Sequence, residues 1–199
     1  RTTVRRSYTL KAWQTAAAQP ATVNDYAKGA LLFEKRFTTP EDPDILVSKG
    51  TVTPKDGYLE LGPNKYHCLA IKVPFAKEQQ VFGHPVLLEI DWPDDRPRNI
   101  GLYMYVPAKG KTSRDCLQGG ITAGNLYPNS GQLQTARYLF YPGFDSYLFE
   151  VRTMSSDYPA AIAALRVYAI DGPLPKLKIN YPTGMPHRQL GFSDEDQTV

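Results

Sequence analysis

Short apolar runs closed off by turn-forming residues set the limits on what this chain can fold into. "ILVSKGTVTP", "DGYLELG" and "HCLAIKVPF" follow one another between residues 45 and 75, each bounded by Gly, Pro, Asn or Asp. Segments of this length rise as antiparallel strands more readily than they wind into helices. The punctuation continues throughout, with 17 Pro and 15 Gly in 199 residues, and the 13 Tyr favour strands further. A chain of this length buries a real core as one domain. No apolar run approaches the roughly 18 residues that a membrane-spanning helix needs. The net charge of +3 is too small to argue for a nucleic-acid partner, although "RTTVRR" gathers three arginines at the start. That stretch reads as a solvated terminus. Arg1 stands where an initiator Met would, so a processed or excised chain is expected, with no signal sequence in what remains.

The clearest strand is "PVLLEIDW", residues 85–92. Alternation puts Val86, Leu88, Ile90 and Trp92 on the core face and Leu87, Glu89 and Asp91 on the other. After the turn "PDDRPR" comes "NIGLYMYVP", where Leu102, Met104 and Val106 oppose Gly101, Tyr103 and Tyr105. Residues 108–133 hold five glycines and read as a long irregular excursion with at most one short strand. "SYLFEVRTM" alternates Tyr147, Phe149 and Val151 against Leu148, Glu150 and Arg152. "AAIAALRVYAI" can open as a helical turn but ends as a strand. From residue 173 the prolines at 173, 175, 182 and 186 break regular structure. The expected fold is therefore all-β: an antiparallel β-sandwich of jelly-roll type with eight to ten strands over residues 1–172. An extended proline-rich linker or tail over 173–199 leads toward a following domain.

Cys68 and Cys116 carry no spacing motif, so a disulfide and two separate thiols both stay open. His67, His84 and His187 show no metal-ligand spacing. His67 reads as a core histidine beside Cys68. No cofactor is expected. Asp91, Asp94 and Asp95 could together hold a structural calcium ion, although their spacing is loose for one.

"EIDWPD" resembles the E-x-D-x-x-E motif of jelly-roll glycoside hydrolases. The resemblance would make Glu89 a nucleophile, Asp91 its partner and Asp94 the proton donor. Asp94 stands where that motif has Glu, which shortens the donor, and only Trp13 and Trp92 exist to line sugar subsites. No serine elbow, phosphate loop, dinucleotide fingerprint or zinc-protease motif occurs.

Read end to end, "EIDWPDDRPRNIGLYM", "GGITAG", "RYLFYPGFDSYLFEVRT", "PAAIAALRVYAI" and "HRQLGFSDED" resemble N-terminal β-sandwich accessory domains of large bacterial glycosidase-like proteins. The resemblance implies a jelly-roll or galactose-binding-like module that binds glycan or packs against an adjoining catalytic domain, outside the cell or in the periplasm. Sugar binding calls for aromatic faces with Arg, Asp and Asn nearby. The loops supply Tyr66 and His67; Asp94, Asp95, Arg96 and Arg98; Asn125 and Tyr127 with Asn129; and Tyr141 and Asp145 with Phe144. The "PDDRPR" group also has a purely structural reading, in which Arg98 anchors the turn through Asp94 or Asp95. Two other functions remain open: the glycoside hydrolase using Glu89, Asp91 and Asp94, and a structural or interaction jelly-roll subunit.

Overall fold

The computed structural model describes residues 28–75, 84–106, 114–124 and 128–171, with the backbone alone for 114–116. The opening segment with Trp13, the loop residues Asn125 and Tyr127, and the tail from 173 lie outside the described residues. Among those residues there are twelve strands and no helix. Every strand pair is antiparallel.

Two sheets form the sandwich. The first has the order β1–β12–β6–β9, built from Lys28–Arg36, Ala164–Ile170, Val86–Pro93 and Leu133–Phe140. The second has the order β2–β5–β10–β7–β8, built from Ile45–Lys49, Cys68–Pro74, Ser146–Thr153, Arg98–Val106 and Arg114–Ala123. A small third sheet joins β11 (Ala161–Ile162), β4 (Tyr58–Leu61) and β3 (Val52–Lys55) at one end. The chain passes between the two large sheets from β1 to β2, β5 to β6, β6 to β7, β8 to β9, β9 to β10 and β10 to β12. This is the antiparallel jelly-roll sandwich that the strand pattern implies.

The core is one cluster fed by alternate positions of both sheets. Val86, Leu88, Ile90 and Trp92 of β6 meet Leu69, Ile71 and Val73 of β5, Leu102 and Met104 of β7, and Tyr147, Phe149 and Val151 of β10. At the far end of the sandwich Phe140 of β9 stacks edge-on to Tyr147 of β10 at 4.9 Å, and Phe75 packs against both rings. Edge-on pairs of this kind add about 0.5–1.5 kcal/mol beyond the area they bury.

Two segments differ from expectation. Residues 114–123, expected to be irregular, form the ten-residue β8 paired with β7 along its length. Its glycines answer to packing: a Cβ on Gly119 would lie 2.9 Å from the Tyr138 ring, and one on Gly120 would lie 3.0 Å from the Ile100 carbonyl oxygen. The Tyr138 hydroxyl reaches across from β9 to donate to that Gly120 carbonyl at 3.2 Å. The alanine-rich run at 160–164 holds β11 and the start of β12, with no helical turn. Ala161–Ile162 pairs with β4, and from Ala164 the chain pairs with β6, so the run switches sheets through buried alanines small enough to fit.

Cys68 is a buried free thiol, 2.8 Å from the Ser48 hydroxyl. Its strand β5 is separated from the β8 of Cys116 by β10 and β7, which is about 14 Å at strand spacing. A disulfide requires Cα atoms within about 7 Å.

Candidate functional site

The acidic strand is an ion network on the outer face of the first sheet. Register sets Glu89 opposite Arg166 of β12 and Arg137 of β9, and sets Asp91 opposite Ala164 and Thr135. Glu89 is 3% exposed; its Oε1 receives Lys28 Nζ at 2.5 Å and Arg137 Nε at 2.9 Å. Asp91 receives both terminal nitrogens of Arg166 at 2.7 Å, in a fork, and the Thr135 hydroxyl at 2.7 Å. Burial pushes both carboxyls up, but these donors outweigh it and hold both below the usual carboxylate range. Asp94 lies past the strand end. It accepts from Asn129 Nδ2 at 2.7 Å and from the Ser130 amide at 2.8 Å, and these bonds likewise hold it low against a desolvation cost.

The "PDDRPR" turn is the anchor that local pairing implies. Arg98 has no exposed surface. Its Nε and one terminal nitrogen clasp the Asp95 carboxylate at 2.8 and 3.1 Å. The other terminal nitrogen donates to Glu60 of β4 at 3.2 Å and to the Pro159 carbonyl at 3.1 Å. Its guanidinium also lies 5.4 Å from the Tyr58 ring centre, and the Tyr58 hydroxyl donates to Asp95 at 2.8 Å. Arg96 pairs with the same Glu60. The turn thus fastens the third sheet to the end of the sandwich, with its charges mutually satisfied. Tyr58 and Glu60 have only a weak mark in sequence: Glu60 alternates with the buried Leu59 and Leu61. Asp91, Asp94 and Asp95 diverge toward different partners, and among the described residues no group of three or more His, Cys, Asp or Glu side chains is placed to hold a metal ion.

Tyr66 has a different character. It sits in the loop before β5 with φ of 69°, a left-handed backbone at a residue with a bulky side chain. Its amide donates to the Thr153 carbonyl at 2.7 Å, and Thr153 in turn donates to the His67 carbonyl at 2.8 Å, which fixes the loop to the end of β10. The ring is 43% exposed. Lys65 Nζ stands 5.0 Å from its centre and Lys49 Nζ 5.7 Å. The neighbouring His67 ring is wedged so closely that a Cβ on Gly50 or Gly62 would fall 2.1 and 2.5 Å from it, and His67 Nδ1 has no hydrogen-bond partner. A left-handed backbone at a bulky residue costs about 1–3 kcal/mol and persists only where surrounding bonds hold it, as these do. Tyr66 and His67 were expected as site residues; Lys49 and Lys65 were not, and only Lys65 is adjacent in sequence.

Tyr141 and Phe144 occupy the opposite end of the sandwich, 57% and 41% exposed. The Tyr147 hydroxyl accepts from the Gly143 and Phe144 amides at 2.7 and 3.0 Å, which stiffens this β9–β10 loop, and the Asp145 backbone carbonyl accepts from the Phe75 amide. The candidate residues therefore divide: Tyr66, His67 and the Asp94–Arg98 turn at one end, Tyr141 and Asp145 at the other.

No family model and no curated protein matches the chain. Solved structures are similar to it in backbone path. A family 35 carbohydrate-binding module from Clostridium thermocellum aligns with a TM-score of 0.45 and 10% identity, over 69% of this chain and 99% of that chain. A family GH115 4-O-methyl-α-glucuronidase aligns with a TM-score of 0.47 and 12% identity, over 76% of this chain and 19% of that one. An exo-β-1,3-galactanase from Phanerochaete chrysosporium gives 0.43 and 12%, over 70% and 29%.

Proposed function

We propose that this chain is a non-catalytic carbohydrate-binding module whose principal glycan contact is the Tyr66 loop. The observation that carries this is an exposed tyrosine ring on strained backbone, flanked by Lys49 and Lys65. A sugar lays its C–H face on such a ring. Exposed cation–π contacts are worth only about 0.5–1 kcal/mol each, so a sugar displaces one ammonium at small cost. That ammonium then stays near enough to bond a hydroxyl or, more strongly, a carboxylate. The site thus favours acidic over neutral sugars. Tyr141 with Asp145 forms a second, separate contact at the far end.

The lack of catalysis is supported by the acidic strand. A glycosidase needs one carboxyl held protonated near neutral pH as the acid. Glu89, Asp91 and Asp94 are all shifted toward the ionised form, and the first two are clamped by arginines. In this reading the module serves a bacterial carbohydrate-processing protein outside the cell or in the periplasm, and residues 173–199 link it to a catalytic neighbour. Calorimetric titration with uronate-bearing and neutral oligosaccharides tests it. Binding that prefers the uronate and is lost in Tyr66→Ala supports the reading, and equal binding by that variant refutes it.

A further inference from the structure

The side of the sandwich opens between the edge strands β1 and β2. There a cleft of about 660 Å³ is lined by Phe33, Leu46, Ile71, Pro43 and Pro74, with Glu34, Lys35, Asp44 and Lys72 completing it. Its size falls in the range of about 300–1,000 Å³ typical of small-molecule sites.

The anomaly in this cleft is Lys35. Phe33 and Lys35 of β1 pair with the buried Val167 and Leu165 of β12, and Phe37 follows just past the strand end, so the lysine takes an inward position between a ring packed on the core and another with no exposure at all. An inward lysine on an apolar stripe breaks the binary pattern, and such breaks concentrate at functional sites. Its side chain is only 14% exposed. Nζ donates to Asp42 at 2.7 Å and to Asp44 at 2.8 Å. An ammonium has three donors, so one remains beyond these two bonds, on a side chain that lines the cleft. Burial lowers its proton affinity, but the two carboxylates overcome that, so the lysine stays charged. The lining carries two cations, Lys35 and Lys72, against two anions, Glu34 and Asp44, and this balance gives a small anion no net attraction.

We propose that this cleft binds a neutral ring-bearing molecule through its apolar lining, with one acceptor oxygen of that molecule bonded to the remaining Lys35 donor. The site is distinct from the glycan-binding loop and does not depend on it.

The test is an amide NMR titration of the intact chain with p-cresol, with its isostere p-xylene, which lacks the oxygen, and with benzoate. Expected are shifts confined to Phe33, Leu46, Ile71 and their neighbours, with p-cresol binding about tenfold more tightly than p-xylene, the scale of a hydrogen bond to a charged donor. Lys35→Met should erase that preference while p-xylene binds as before. Leu46→Glu, on a half-exposed side chain that folding tolerates, should weaken both probes. Shifts that avoid the cleft overturn the proposal, as do a p-cresol preference that survives Lys35→Met, benzoate binding most tightly, and probe binding unaffected by Leu46→Glu.

Discussion

Replacing Arg98 tests whether the charged turn holds the third sheet to the sandwich. The guanidinium has no exposed surface and satisfies Asp95, Glu60 and the Pro159 carbonyl together. Arg98→Met keeps most of the stem volume and removes all of these donors. Breaking a buried ion pair by deleting one partner costs about 3–5 kcal/mol. Here Glu60 keeps Arg96 and the Asp95 side chain is 38% exposed, so the loss belongs near the lower end, about 3 kcal/mol. Arg98→Lys keeps the charge but loses the two-pronged clasp and should cost about 2 kcal/mol. With a urea slope of about 2 kcal/mol/M, the midpoints should fall by about 1.5 M and 1 M. Equilibrium urea unfolding followed by circular dichroism reads both. A Met variant within about 1 kcal/mol of wild type, or more stable than the Lys variant, would refute the anchoring argument, because the apolar replacement would then have outweighed the network.

Other outcomes follow from the same contacts. Tyr66→Gly and Tyr66→Ala should lose glycan binding equally, yet the glycine variant should unfold at higher urea by about 1 kcal/mol, since only glycine accepts a φ of 69° without strain; equal midpoints would show that the backbone is not left-handed there. Gly119→Ala should destabilise by about 1–2 kcal/mol, because its Cβ would press on the Tyr138 ring from 2.9 Å, and thermal unfolding measures this. Glu89, Asp91, Asp94 and Asp95 all have lowered folded pKa values. Their contribution is full above the unfolded carboxyl values of about 4 and is lost as pH falls through the lower folded values. Urea midpoints should therefore stay level from about pH 5 to 7 and fall below about pH 4, with a smaller fall in Arg98→Met, where Asp95 has lost its main cation.

Alternation in "PVLLEIDW" was enough to place the core face of β6, because the strand period is two, although Leu87 and Glu89 on the other face are buried as well. It also separated Glu89 and Asp91 from that core, but the three cations around Glu89, Lys28, Arg137 and, at 3.6 Å, Arg166, come from β1, β9 and β12, which are distant in sequence. β8 was hidden because Gly119 and Gly120 read as loop residues, whereas their small size answers Tyr138 and the Ile100 backbone across the fold. The alanine run was ambiguous for a similar reason: alanine has high helix propensity, and pairing with β4 and β6 overrides it. The Arg98–Asp95 clasp was legible because it is local. The left-handed Tyr66 was not, since a tyrosine gives no sign of positive φ and its flanking Lys49 arrives from another strand. Lys35 left a trace in "FEKRF", an inward lysine between two phenylalanines, whose meaning depends on the cleft beside it.

The most direct measurement is a glycan array of uronate-bearing and neutral oligosaccharides probed with the wild-type chain, Tyr66→Ala and Glu89→Gln, followed by chromatography of every bound sugar. Binding that favours uronates, vanishes in Tyr66→Ala, persists in Glu89→Gln and leaves each sugar intact is the predicted result. Cleavage products that disappear in Glu89→Gln would contradict the account and assign the acidic strand to catalysis.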